Sequence, residues 1–199
     1  MSNSALNRLA GPTALAAGSL MVAAQLAMLP FDPKDHVATT TNPVFQVGGI
    51  VYLVGFILLI FTLITSYGWL ADKAVGFGLI ATGSAIVGTM LLGGDLWFET
   101  FAVPWLADEA PASLSTDPTT LLALGAISSY LLFAVGWALF GIAGLRARVF
   151  PTAISAAIVI GGVVGFNALL SPYGVPLGLA LVSLRVWMLR NIPVADRSQ

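Results

Sequence analysis

Long uncharged apolar runs alternate along the chain with short polar breaks. A helix crosses about 30 Å of hydrocarbon with roughly 20 apolar residues, so the runs can be divided by that yardstick. The division predicts spans at Gly11–Leu29, Gln46–Ser66, Ala74–Gly94, Thr120–Gly144, Pro151–Leu170 and Pro172–Leu189. The uncharged interval from Val149 to Leu184 is too long for one crossing, and Ser-Pro-Tyr-Gly-Val-Pro at 171–176 interrupts it. There Ser171 is expected to cap the sixth helix, with Pro172 at its first position, where a missing N–H costs nothing. The expected fold is all-α: a polytopic transmembrane bundle of six helices, forming one domain over residues 1–199.

The first run follows Arg8 and could be the apolar region of a signal peptide. It is longer than the 7–15 residues typical of such a region and is not closed by an A-x-A site, so it reads as the first span.

The breaks between runs sort by charge. Of the eight basic residues, Arg8, Lys73, Arg146, Arg148, Arg185, Arg190 and Arg197 fall on one side, and only Lys34 falls on the other. Asp32, Asp35, Asp95, Glu99, Asp108, Glu109 and Asp117 accompany Lys34. Cytoplasmic loops retain Lys and Arg during insertion, so the expected topology puts both termini in the cytoplasm of a cell with this chain in its inner membrane. The two outer segments, 31–45 and 95–119, are longer than turns, whereas the other connections are short enough for antiparallel neighbours.

Composition agrees. The chain of 199 residues is 58% hydrophobic and 9% charged, with a mean hydropathy of +0.94. Soluble domains carry roughly a quarter charged residues, so there is too little polar side chain here to cover a water-facing surface. A net charge of -1 argues against nucleic acid, which needs a clustered basic face. The absence of cysteine excludes disulfides, thiolate metal sites and a cysteine nucleophile. No lysine sits inside a span to carry a retinal Schiff base, and a single outer histidine cannot supply bis-histidine haem ligation, so no cofactor is expected.

Helices in lipid gain little from burying leucine against leucine and need small residues for close approach. Gly161-x-x-x-Gly165, Gly174-x-x-x-Gly178, and Gly76, Gly83, Gly88 and Gly93 supply them, with packing within the chain as the expected use. Gln25 and Asn167 are expected to hydrogen-bond between helices, and Arg185 to reach the cytoplasmic interface from about a turn inside the last span.

Candidate chemistry concentrates in Gly93-Gly-Asp-Leu-Trp-Phe-Glu-Thr-Phe-Ala-Val-Pro-Trp105. On a helix, Asp95 and Glu99 share one face, while Trp97, Phe101 and Trp105 share another. Two carboxylates beside aromatic walls suit protonation of an apolar substrate: one acid is kept protonated by desolvation, and π faces stabilise developing cations. Asp95 and Glu99 are thus the candidate acids, and Trp97, Phe98, Phe101 and Trp105 the candidate substrate walls. The competing reading is an interfacial aromatic belt with solvated acids, in which Gly93-Gly94-Asp95 ends one helix and caps the next. Whether residues 95–107 extend the third span or form an interfacial helix stays open. A second cluster, Asp32-Pro-Lys-Asp35-His36, has the donor types of a divalent-cation site, although such loops usually bind nothing, and no metal is expected.

The segment Gly136-Trp-Ala-Leu-Phe-Gly-Ile-Ala-Gly-Leu-Arg-Ala-Arg-Val-Phe-Pro151 resembles a pattern common in small multi-pass membrane proteins of actinobacterial type, as does Gly94-Asp-Leu-Trp-Phe-Glu99. That likeness implies architecture. A looser resemblance of Trp97-Phe98-Glu99 to integral-membrane terpene cyclases implies Glu99 as a proton donor.

Three functional readings follow. The leading one is a non-catalytic accessory or subunit protein whose partners are membrane lipids, a hydrophobic small molecule or another membrane protein. The second is a membrane enzyme acting on an isoprenoid or other lipid through Asp95 and Glu99. The third, a small transporter component, is weakest, because the spans hold no charged residue at the midplane and no broken helix there.

Overall fold

A computed structural model describes residues 3–31, 36–71, 73–114 and 116–191, and all regular structure among them is helical. The long helices are α1 (Asn3–Met28), α3 (Pro43–Leu70), α4 (Val75–Trp97), α7 (Thr120–Ala147), α8 (Thr152–Val164) and α9 (Val175–Asn191). Short helices α2 (His36–Thr40), α5 (Val103–Glu109) and α6 (Pro111–Leu114) lie between them. Each long helix packs on the next in chain order, and α9 returns to α1, which closes a ring.

Among the described residues, four stretches are long and apolar enough to cross a membrane: Leu9–Met28, Pro43–Leu70, Val75–Glu109 and Thr120–Ala147. The third is one continuous rod. Gly93-Gly94-Asp95 neither ends nor caps a helix, because α4 runs into a π-helical turn at Phe98–Ala102 and on through α5. Pro104 explains the wide turn. A proline has no N–H for the carbonyl four residues back, and its ring crowds that carbonyl; opening the helix by one residue relieves both. The Val103 N–H accordingly bonds the Phe98 carbonyl.

The last two expected spans come out shorter than the sequence reading. α8 is 13 residues, followed by three residues of 3-10 helix at Gly165–Asn167, and it stops well before Leu170. α9 begins at Val175, so Ser171 and Pro172 are not its cap and first residue; Pro176 takes the early position instead. Residues 168–174 form turns, with a cis Ser171–Pro172 peptide. Gln25 of α1, fully buried, organises this break. Its side-chain amide donates to the Ala168 carbonyl at 2.9 Å and accepts from the Gly174 N–H at 3.3 Å. The Tyr52 hydroxyl donates to the same Ala168 carbonyl at 2.7 Å, and the Ser171 hydroxyl donates to the Gln25 carbonyl. Backbone groups released from helix at the α8–α9 corner thus find partners inside the bundle, as burial away from water demands. The expected interhelical role of Gln25 is met here, on backbone groups.

Small residues set the helix spacing. A Cβ on Gly88 would sit 2.4 Å from the Leu132 carbonyl oxygen, and one on Gly136 would meet the Ala85 backbone at 2.6 Å, so α4 and α7 touch backbone to backbone. Gly18 and Gly178 do the same for α1 and α9. Gly76 and Gly83, by contrast, have no neighbour within 4 Å and lie on an open face.

Through the middle runs a chain of aromatic rings. Tyr52 meets Phe56, which stacks on Phe133 at 5.4 Å; Phe133, Trp137, Phe140, Phe150, Trp187 and Trp69 follow in succession. The buried Trp137 indole donates to the Thr89 hydroxyl at 3.0 Å, which joins α7 to α4 by a polar contact as well.

The ring of helices has two unlike ends. The C-terminal ends of α1 and α4, the N-terminal ends of α3 and α7, and the α8–α9 corner meet at one end, here called the acidic end. Lys73, Arg146, Arg148, Arg185 and Arg190 lie toward the other, basic end. There Arg146 sits 5.2 Å over the Phe77 ring, and the Arg185 side chain packs on Gly11.

Candidate functional site

At the acidic end the helices part around a cavity of about 380 Å³. Its apolar wall comes from Met28 and Leu29 of the α1 end, Phe31, Phe45 of α3, Leu96 of α4, and Leu169 and Leu170 of the α8–α9 corner. Thr39 and Thr40 of α2 line it as well. Phe31 and Phe45 meet edge to face at 5.7 Å. Size and wall are those of a small-molecule site, which is typically about 300–1,000 Å³ and mostly apolar with a few placed polar groups.

Two of those polar groups are hydroxyls that donate to backbone carbonyls. The Thr100 hydroxyl donates to the Leu96 carbonyl at 2.7 Å, and the Ser171 hydroxyl is engaged with the Gln25 carbonyl. Glu99, half-buried in the π-helical turn, brings the only carboxylate among the described lining residues, and Tyr130 of α7 brings a phenol. The wide turn is what lets Glu99 face inward while Phe98 and Phe101 on either side of it are exposed. π-helical turns inside α-helices recur at functional sites for this reason: they re-aim a side chain at small cost in backbone bonding.

The candidate residues read from the sequence divide in space. Glu99 lines the cavity. Asp95 does not; it is half-buried one turn earlier on α4, and its Oδ2 is buried without a hydrogen-bond partner. Trp97, Phe98, Phe101 and Trp105 are all exposed, with Trp105 62% accessible, and none lines the cavity. They form an outward belt, Trp97 and Phe101 being 5.8 Å apart. The aromatic groups at the cavity are instead Phe31, Phe45 and Tyr130, which lie in three different chain segments. Proximity between such segments has no signature in the sequence. The Pro104 that opens the turn at Glu99 was the one local signal available.

Asp32, Pro33, Lys34 and Asp35 of the second cluster lie outside the described residues, and among the described residues no group of three or more His, Asp or Glu side chains could hold a metal ion.

No protein-family model matches the chain, and neither a curated protein nor a solved structure is significantly similar to it.

Proposed function

We propose that this chain is an inner-membrane protein that crosses the bilayer six times with both termini in the cytoplasm, and that it serves as a non-catalytic accessory or subunit protein holding a hydrophobic small molecule in the cavity at its outer, acidic end. The crossing number is supported by the place of α8 and α9 in the closed ring of helices. The direction is supported by the collection of Lys73, Arg146, Arg148, Arg185 and Arg190 at one end.

The observation that carries the function is the cavity itself, an apolar chamber beside a π-helical turn that presents one carboxylate. Binding is favoured over catalysis because the pair of acids is split. General acid–base work on an apolar substrate asks for two groups within hydrogen-bond reach of the reacting atoms, and Asp95 does not line the chamber. The belt Trp97, Phe98, Phe101 and Trp105 is not placed to stabilise a cation inside it.

Two experiments test the reading. A reporter fused after Asp117 should face the exterior and one fused after Arg148 the cytoplasm; cytoplasmic activity after Asp117 overturns the topology. For the ligand, mass spectrometry of protein purified in its native lipid should find a bound hydrophobic molecule. Leu29→Trp, at the exposed rim of the cavity, should remove that molecule without altering expression. Unchanged retention in this variant would falsify the cavity assignment.

The enzyme reading keeps one favourable observation: Glu99 and Tyr130, two groups able to hold a proton, line the same cavity. Asp95→Asn with Glu99→Gln should leave cellular lipid products unaltered if the protein only binds. A missing lipid-derived product at normal membrane levels would move the assignment to catalysis.

A further inference from the structure

We infer that the crevice between α1 and α9 at the basic end is a binding site for an anionic phospholipid, whose phosphate pairs with the Arg185 guanidinium. This rests on the chain being embedded in a membrane, as proposed above, and is independent of the cavity at the acidic end.

Arg185 carries the inference. It stands about 9 Å before the end of α9 at Asn191, at 1.5 Å per residue, beside the buried Leu181 and Met188. Its side chain is half-buried, and its Nε–H is buried without a hydrogen-bond partner. No hydrogen bond or ion pair with any described residue satisfies the guanidinium. Arginine does not shed its proton in proteins, so it cannot escape burial by becoming neutral. A lasting charge in apolar surroundings calls for a counter-ion.

α1 is shaped to hold this group. The Cδ and Nη1 side of the guanidinium rests on Gly11, where a Cβ would meet Cδ at 2.8 Å and Nη1 closer still. The missing side chain at Gly11 therefore seats a planar fork between the two helices. That fork matches phosphate oxygens in pairs, and a fork already held in place loses little freedom when it binds.

The surroundings set the sign and source of the partner. Lys73, Arg146, Arg148 and Arg190 are exposed at the same end, and no Asp or Glu lies there among the described residues. In sequence this side carries seven of the eight Lys and Arg against two acids, Asp72 and Asp196. Such a field gathers anions. Depth favours a lipid over a dissolved ion: a long side chain that starts inside an apolar helix delivers its charge to the level of the headgroup phosphates. Basic pockets between membrane helices on the cytoplasmic side are where anionic headgroups bind.

The test uses the full chain in dodecyl maltoside, stripped of lipid, and three lipids with identical acyl chains: phosphatidylglycerol, phosphatidylcholine and diacylglycerol. Titration read by native mass spectrometry should show one phosphatidylglycerol per chain, held roughly tenfold tighter than diacylglycerol, the increment of one charge-assisted hydrogen bond. Phosphatidylcholine should fall between them, because its choline cation faces the same basic end. Arg185→Gln should bring phosphatidylglycerol to within about threefold of diacylglycerol. This variant removes a charge from an apolar helix, so it should reach the membrane at the parental level. Gly11→Ala keeps every charge but displaces the guanidinium, and should weaken phosphatidylglycerol by a similar factor. Lys73→Gln, Arg148→Asn and Arg190→Gln combined should keep most of the advantage, since those exposed cations contribute only a screened field.

Equal retention of phosphatidylglycerol and diacylglycerol by the unaltered chain overturns the inference, and phosphatidylcholine held as tightly as phosphatidylglycerol overturns its selection for an anion. An advantage kept in Arg185→Gln but lost in the triple variant moves the effect to the surface and removes Arg185 from the site. Displacement of the lipid by excess inorganic phosphate would make the occupant a dissolved anion, against the inference. A chain that stays dissolved without detergent overturns the membrane reading together with this one.

Discussion

At the basic end Phe150, Trp187 and Trp69 meet edge to face and bind two helices and a turn together, whereas at the acidic end the helices separate around a cavity walled by Phe31, Phe45 and Tyr130. Both ends are rich in aromatic residues, so composition does not distinguish them. What differs is the backbone. α7 closes the basic end tightly: Arg148 takes a left-handed conformation at φ 52°, and its N–H returns to the Gly144 carbonyl. At the acidic end α4 widens into a π-helical turn, and α8 stops early at a 3-10 turn. A bundle that holds firmly at one end can keep the other irregular, and irregular backbone within apolar surroundings persists only where each freed group finds a partner. Gln25, Tyr52 and Ser171 provide those partners.

This contrast can be broken by substitution, and the effects should fall in a definite order. Trp187→Ala removes the ring that links Trp69 to Phe150 and should destabilise the fold by about 3 kcal/mol, the usual cost of deleting a packed tryptophan. Unfolding in mixed detergent and SDS micelles reads this directly; a loss below about 1 kcal/mol would mean that the basic end does not hold the bundle. Gln25→Leu leaves the Gly174 N–H without its partner and should cost about 1–3 kcal/mol. In addition, it should loosen the α8–α9 corner, seen as faster amide exchange at residues 168–174; unchanged exchange there would remove Gln25 from its organising role. Trp105→Ala, at the exposed belt, should stay within about 0.5 kcal/mol of the parent in micelles. A large effect would show that the belt is covered by something other than detergent or lipid.

The effect of Leu29→Trp, at the exposed rim of the cavity, sharpens the comparison from the other direction. It should remove the bound molecule with little change in stability, whereas Trp187→Ala should do the reverse. Finding that the two variants behave alike would show that the ends are coupled rather than specialised.

Much of the architecture is legible in the chain. The runs containing Gly11–Leu29, Gln46–Ser66 and Thr120–Gly144 each lie within a helix or end a residue beyond one, because apolar length in an uncharged interval leaves few alternatives to helix. The ends of helices were harder. Pro172 looked like a helix start, yet Pro176 took that place, since either proline suits an early helical position and the choice rests on where Gln25 and Tyr52 can reach. Gly93-Gly94 looked like a stop, but two glycines cost a packed helix only about 2 kcal/mol together, which neighbouring helices offset. At the site, Glu99 was identified from its residue type and Asp95 was paired with it by spacing. The cavity then took one and left the other, because the wide turn shifts the register between them.

The sequence by itself determined that this chain is helical, apolar along crossing-length stretches, and charged with opposite sign at its two ends, because those properties depend on residue type and spacing alone. Only the tertiary structure decided which aromatic rings face the cavity and which face outward, and which acid enters it. Those outcomes depend on the rotation of each helix about its axis, and that rotation is fixed by close backbone contacts such as Gly88 against Leu132 and Gly18 against Gly178, which join residues far apart in the chain.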